Sequence, residues 1–398
     1  MPGPGAYWIG KEELDHVMEV MSSGHLSRYG QLNDPAFKRK VYTLEREYAK
    51  YIGVNHCVAT SSGTSALLIS LLALGIESGD EVIVPGYTFV ASYSAIIFVG
   101  GIPILTEIDE SLTIDPNDIE KRITPRTKFI MPVHMLGNPC DMDPIMKIAK
   151  EYNLKVVEDF CQAGGASYHG KKLGSIGDMG AYSLNVFKVI TAGDGGLIVT
   201  NNKELYRKSF GLHDQGHSPN RADVEEIGHR SILGLNFRIN ELTGAVALAQ
   251  LHKIDKIILT LQKKKQMLRE AIGEIPGMRW RKINDPDGEC ATLLTAIFDD
   301  VGHARKVAEK LQTKTVNESG WHVYSNMEHV MNHLKKIGQP YGKGILTHTD
   351  DILSRSINLS VGVVDPGLGS AFGININSIE EEILSAAKKF KECALSGH

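Results

Sequence analysis

Between residue 54 and about residue 200 the chain alternates short β-branched runs with helix-like segments, and this alternation constrains the fold more than any other feature. Residues 54–60, 81–85, 103–109, 128–134, 154–159 and 196–200 are predicted strands. A helix is predicted from Thr64 to Leu74, closed by Gly75 as a C-cap, and an amphipathic helix over residues 142–152. Strands that alternate with helices must be joined by crossovers. The expected class is therefore α/β, with a mostly parallel central sheet flanked by helices.

The pattern changes after residue 200. Residues 240–272 are predicted to form one long helix rich in Leu, Ile, Lys and Gln, with Gly244 early in it. A helix of that length commonly ends one domain and leads into the next. Beyond it a smaller α+β unit is expected, with a strand at 291–298 and helices at 303–312 and 379–393. The expected division is a large domain over 1–255 and a small C-terminal domain over 256–398, which suits 398 residues at roughly 100–200 per domain. Residues 318–349 are rich in His, Gly, Asn and Lys and only weakly periodic; they are expected to be a loop-rich insertion, with His322, His329 and His333 as solvated loop residues.

Composition excludes several functions. With 43 basic and 47 acidic residues the net charge is −4, which provides no electrostatic footprint for nucleic acid or an anionic membrane. The longest apolar stretch, residues 66–74, is interrupted by Ser70 and too short to span a bilayer. The opening Met-Pro-Gly-Pro-Gly lacks a basic and an apolar region, so no secretory signal is expected. Five cysteines without a CxxC pair fit cytosolic usage, hence a cytoplasmic location, rather than a disulfide framework.

Three short segments can carry chemistry. Ser61-Ser62-Gly63-Thr64-Ser65-Ala66 stands between a predicted strand and a predicted helix, where free N–H groups and the helix dipole favour an anion such as phosphate. Taken alone, a plain N-cap explains it better. Asp159, in Val157-Glu158-Asp159-Phe160-Cys161-Gln162, falls at the C-terminal end of a buried parallel strand, the edge at which ligands bind in open α/β sheets. It can pair with a protonated ring nitrogen of a cofactor, or simply cap a helix. Lys188 stands in the apolar run Tyr182-Ser183-Leu184-Asn185-Val186-Phe187-Lys188, followed by Gly193-Asp194-Gly195-Gly196. Desolvation would make its amine nucleophilic, as Schiff-base chemistry requires, although an isolated lysine usually keeps its head in water.

In this order, the three segments resemble fold-type I enzymes dependent on pyridoxal 5'-phosphate (PLP). Together with Pro85-Gly86-Tyr87-Thr88-Phe89-Val90-Ala91, Gly174-Ser175-Ile176-Gly177-Asp178 and Gly234-Leu235-Asn236-Phe237-Arg238-Ile239-Asn240-Glu241, they resemble the DegT/DnrJ/EryC1/StrS aminotransferases, which aminate keto-sugars. The resemblance runs from about residue 7 to 260 and more loosely beyond. It implies that Lys188 holds PLP as a Schiff base and moves a proton, and that Asp159 pairs with the pyridinium nitrogen. It implies that Gln162 bonds the ring 3-oxygen and that Phe89 stacks on the ring. Gly63, Thr64, Ser65 and Ser183 would cradle the phosphate. Asn236 would reach the phosphate of a second subunit, so a homodimer with shared sites is implied. The implied substrates are an amino donor, glutamate or glutamine, and a keto- or aldehyde-sugar acceptor.

The chain also departs from the family pattern. Phe160 replaces a small residue after the Asp, and its ring is expected to narrow the site. The segments Trp321-His322-Val323-Tyr324 and residues 362–369 are unusual for a sugar aminotransferase. Residues 123–128 and 213–217 resemble the branch containing the 8-amino-3,8-dideoxy-manno-octulosonate transaminase. Other motifs lead nowhere. Gly165 to Lys172 nearly matches a P-loop but lacks the final Ser/Thr and suits a hairpin turn better. His134, Cys140 and Asp141 have no zinc spacing, and no metal site is expected. No GxGxxG follows the first strand, which argues against a nicotinamide oxidoreductase. The remaining alternatives are a PLP-dependent sugar dehydratase, in which histidine replaces the Schiff-base lysine, and a non-catalytic PLP- or sugar-sensing regulator. Lys188 argues against the first, and the presence of both Lys188 and Asp159 against the second.

Overall fold

The computed structural model describes residues 2–31, 33–219 and 232–396. Nine strands lie in the first half: β1 His56–Thr60, β2 Glu81–Pro85, β3 Ile102–Thr106, β4 Thr127–Ile130, β5 Lys155–Asp159, β6 Ser167–Tyr168, β7 Lys171–Lys172, β8 Met179–Ser183 and β9 Gly196–Thr200. Seven of them form one sheet in the order β1-β9-β8-β5-β4-β2-β3. The β8-β5, β5-β4, β4-β2 and β2-β3 pairs are parallel; β9 runs antiparallel to both its neighbours. The sheet is thus mostly parallel, as the alternation predicts. The β6–β7 hairpin turns through His169 and Gly170, both at positive φ, which accounts for the near P-loop sequence.

Three expectations change. β4 stops at Ile130 because Pro132 has no N–H to give to a ladder. Beyond Pro132 the chain stays alongside β5 in the same register through one parallel bridge, Val133 to Asp159, in which Asp159 N donates to Pro132 O and His134 N donates to Asp159 O. The predicted long helix is two helices, Glu241–Leu251 and Ile254–Ile272. The first is buried nearly all round and the second shows one apolar stripe, so a change of direction is needed. At the break, Lys253 Nζ donates to Trp8 O and to Glu13. Finally, residues 318–349 are no loop-rich insertion. They contain the helix Glu328–Lys336, and Met327, Val330, Met331, Leu334 and Leu346 are buried in the core.

Residues from 278 onward build a three-stranded antiparallel sheet of β10 Met278–Trp280, β11 Leu293–Phe298 and β12 Ser356–Ser360. The helix Glu380–Leu395 packs beside it through Ile383, Ala387 and Phe390. Residues 321–324, between β11 and β12, bond through the main chain to residues 86–90, which follow β2. Thr88 N donates to His322 O, Val90 N to Trp321 O and Tyr324 N to Gly86 O.

At the N-terminal side, the helix Lys40–Ile52 lies against Glu241–Leu251. Its first turn has no cap of its own. Glu241 accepts from the N–H groups of Lys40 (2.7 Å) and Val41 (3.0 Å) instead. Gly244 lets the two backbones meet, since a Cβ there would lie 2.8 Å from Val41 N. Gly244→Ala is expected to destabilise the protein by about 1–3 kcal/mol, as overpacking does, read as a lower thermal midpoint.

Candidate active site

Strands β5 and β8 and the helix Gly63–Leu74 end around a cavity of about 590 Å³, closed on its far side by residues of the second half. The lining includes Gly63, Thr64, Phe89, Asp159, Gln162, Ser183 and Lys188. A larger cavity of about 1280 Å³ lies over Arg28, Glu45, His56 and Cys57, where Arg28 already pairs with both oxygens of Glu45 at 2.9 and 3.0 Å. In the smaller cavity a buried amine, Lys188, lies in the same lining as the carboxyl groups of Asp159 and Asp365.

Ser62 caps its helix by accepting from Ser65 N at 3.0 Å, while Ser65 Oγ accepts from Ser62 N at 2.9 Å and donates to Ser62 O. This is a reciprocal cap. It occupies Ser65, which is buried and outside the cavity lining, and leaves the N–H groups of Gly63 and Thr64 without an acceptor among the described residues. Gly63 is required by contact: a Cβ would sit 2.7 Å from Ser183 Cβ. Ser183 Oγ accepts only a long bond from Asn185 N, 3.3 Å.

Asp159 is 4% exposed and held from two sides. Its Oδ1 accepts from Cys161 N at 3.1 Å, and its Oδ2 accepts from Ser92 Oγ at 2.8 Å. Ser92 in turn accepts from Thr88 Oγ1 at 2.7 Å. Both hydroxyls are fully buried. Neither was singled out from the sequence, although both lie in or beside the segment that carries Phe89. Gln162 Oε1 accepts from Leu136 N at 3.1 Å, which turns its amide N–H₂, a donor, to the free side. Lys188 Nζ has no hydrogen-bond partner among the described residues. Burial lowers its pKa from the ordinary lysine value, against the opposing pull of Cys161, Asp159 and Asp365.

Adjacent positions on a strand face opposite ways, and this separates Glu158 and Phe160 from Asp159. Glu158 is fully buried and accepts from Gly174 N (2.8 Å), Ile176 N (2.7 Å), Gly177 N (2.6 Å) and His134 Nε2 (3.2 Å). The Gly174-Ser175-Ile176-Gly177 segment is therefore a nest for one carboxyl group. Phe160 does not narrow the site. It is fully buried, stacks on Tyr182 at 5.4 Å and fills the space over Gly174 and Gly180.

Asn236 is exposed and lies outside this cavity; its Oδ1 accepts from Arg238 N. His322, expected in solvent, is 6% exposed and lines the cavity, while His329 is exposed. Residues 123–128 and 213–217 build scaffold instead. Thr124, Arg126 and Thr127 clamp Glu81 at the start of β2, and Asp214 pairs with Arg238 and His217.

A lone desolvated amine, a tethered carboxyl group and an open helix N-terminus at the carboxyl ends of a mostly parallel sheet define a fold-type I PLP-dependent transferase. The chain belongs to the DegT/DnrJ/EryC1/StrS aminotransferase family, whose profile matches residues 8–364. It is 42% identical over 245 residues to a GDP-perosamine synthase of Caulobacter vibrioides, an alignment covering 61% of this chain and 62% of that one. The chain thus spans less than two thirds of that relative's length. It is 36% identical over 320 residues to the spore coat polysaccharide biosynthesis protein SpsC of Bacillus subtilis, covering 78% and 79%. A solved aminotransferase from Psychrobacter cryohalolentis superimposes with a TM-score of 0.82 at 26% identity, covering 98% of each chain.

The donor set fits the cofactor of this family, PLP. Two free N–H groups and the Thr64 and Ser183 hydroxyls suit its phosphate, Asp159 its ring nitrogen, the Gln162 amide its ring oxygen and Lys188 its aldehyde. Glu158→Gln is expected to cost on the order of 2–3 kcal/mol, because an amide turns an N–H₂ toward groups that need an acceptor. A urea titration checks this as a lower unfolding midpoint.

Proposed function

We propose that the chain is an aminotransferase that moves an amino group from an amino acid, glutamate or glutamine, to a keto- or aldehyde-sugar in the biosynthesis of an amino sugar. The observation that carries this reading is Lys188: a free amine, desolvated, in the same cavity as Asp159 and the Gly63–Leu74 N-terminus. The names of the relatives, GDP-perosamine synthase and a polysaccharide biosynthesis protein, support a sugar acceptor.

Bound PLP supplies an electron sink for the pair released when a proton leaves the substrate carbon. The chain's own groups do the rest. Burial keeps more of the Lys188 amine in free-base form at neutral pH, ready to take that proton and return it to another carbon. Asp159, kept in place by Ser92 and Cys161 N, holds the ring-nitrogen proton. Gly63, Thr64 and Ser183 hold the phosphate, Gln162 donates to the ring oxygen, and Phe89 covers the ring face. The Ser65 hydroxyl acts through the cap that frees its neighbours' N–H groups. Lysine at position 188 also weighs against the dehydratase alternative. The same reading divides the chain into a large cofactor-binding unit, 1–255, and a small unit, 256–398.

Asn236 is assigned to the phosphate of a second copy. Leu233 and Leu235 beside it are 94% and 64% exposed, a surface that suits burial between subunits. Among the described residues no helix is long and apolar enough to cross a membrane.

Two experiments test this. Borohydride should fix PLP covalently to Lys188, seen by peptide mapping. Lys188→Ala should keep cofactor through the phosphate contacts and lose turnover; label at another residue rejects the assignment. Second, Lys188→Ala and Asn236→Asp homodimers should each be impaired. When co-expressed, mixed dimers should regain activity, to at most about half of wild type per dimer, since one of two sites is intact. Mixed dimers without activity, or an active monomer by light scattering, reject the shared site.

A further inference from the structure

We propose that His322 is the residue that selects a hydroxyl-bearing acceptor, receiving a hydrogen bond from a sugar hydroxyl at its Nε2. This deepens the reading above and rests on it.

The ring's state follows from its neighbours. Ser319 Oγ has one hydrogen and donates it to Gly367 O at 2.6 Å. Its contact with His322 Nδ1, 2.9 Å, must therefore use an oxygen lone pair, so Nδ1 carries the ring proton. Ser319 and His322 are 3% and 6% exposed. Burial and the Lys188 cation push the His322 pKa down to about 3, so the ring stays neutral at ordinary pH. Its Nε2 is then a bare lone pair with no partner among the described residues. Such an atom takes an O–H or N–H and repels a carboxylate or phosphate.

The surroundings agree. Trp321 and Asp365 line the same cavity. Trp321 is 57% exposed, an aromatic face of the kind on which sugar rings pack. Asp365 Oδ1 accepts from Gly367 N at 2.8 Å, and no bond to Oδ2 is made among the described residues, a second acceptor. The part of the cavity wall built from residues 321–322 and 365 thus offers acceptors and apolar surface. Among the described residues of that wall there is no cation for the carboxylates of an amino-acid donor. The wall is also fixed in place: Val90 N and Thr88 N bond the Trp321 and His322 carbonyls, with the Phe89 ring 5.4 Å from the imidazole.

The test compares His322→Phe, which keeps a ring and removes the acceptor, with His322→Gln, which restores an acceptor oxygen. The two half-reactions are followed separately through the cofactor's absorbance. The first uses L-glutamate and L-glutamine. The second uses a panel of nucleotide-linked 3-keto- and 4-keto-hexoses and free aldehyde-sugar acids, of which the one that wild type aminates fastest is kept. His322→Phe should raise the KM of that sugar about tenfold and leave the donor half-reaction and the sugar kcat near wild type, with partial recovery in His322→Gln. Nitrogen-15 NMR of the imidazole in wild type should show a neutral Nδ1–H ring at about pH 5, where an ordinary histidine is charged. An unchanged sugar KM, an equal loss in the donor half-reaction, or a ring that titrates normally overturns the inference and leaves the aminotransferase reading standing. A wild type that takes nitrogen from the donor but aminates no member of the panel overturns the sugar-acceptor reading, and the inference with it.

Discussion

The end of β5 carries two adjacent carboxyl groups that face opposite ways, and most of the site depends on that pair. Glu158 turns into the protein and gathers three backbone N–H groups from residues 174–177. That contact ties the segment leading into β8 against β5, and β8 ends at Ser183. Asp159 turns toward the cavity, where Ser92 and Cys161 N orient it. A buried carboxyl group is costly without donors, so both positions are fully supplied. The same strand therefore sets the carboxyl that faces the cavity and the loop that begins the path to Lys188.

Close backbone contact shapes the anion end of the cavity. Gly63 abuts Ser183, and a Cβ on Gly196 would lie 2.2 Å from Ser62 O. The helix N-terminus can meet β8 and β9 only because these positions are glycine. The reciprocal Ser62–Ser65 cap satisfies the next donors and leaves two N–H groups pointing past the cap. Charge is balanced sparingly: Lys188 faces Asp159 and Asp365 without forming an ion pair. Its amine stays available, whereas a direct pair would hold it charged.

The opposite wall is assembled from far along the chain. Residues 321–324 bond to the 86–90 segment as an added strand would. This pairing places Trp321 and His322 beside Phe89 and turns weakly periodic sequence into a wall of the cavity. Ser319, Gly367 and Asp365 then fix the polarity that the wall presents.

The sequence by itself determined the class of fold, through the alternation of strands and helices over residues 54–200, and most of the residues that line the cavity beside Asp159, through short segments whose members are neighbours along the chain. Gly63, Thr64, Asp159, Gln162, Ser183 and Lys188 all meet at one cavity because each sits at the end of a strand or helix, or in the turn that directly follows a strand. Strand alternation alone could also have separated Glu158 and Phe160 from the site. Tertiary structure decided what local pattern cannot carry. It ended β4 before Pro132, broke the helix at Lys253 to reach Trp8 and Glu13, and turned Phe160 into the core. It buried His322 through a main-chain bond to Thr88, a residue distant in sequence. Hydrogen bonds between remote segments leave no periodic trace, because the backbone groups that make them are the same in every residue.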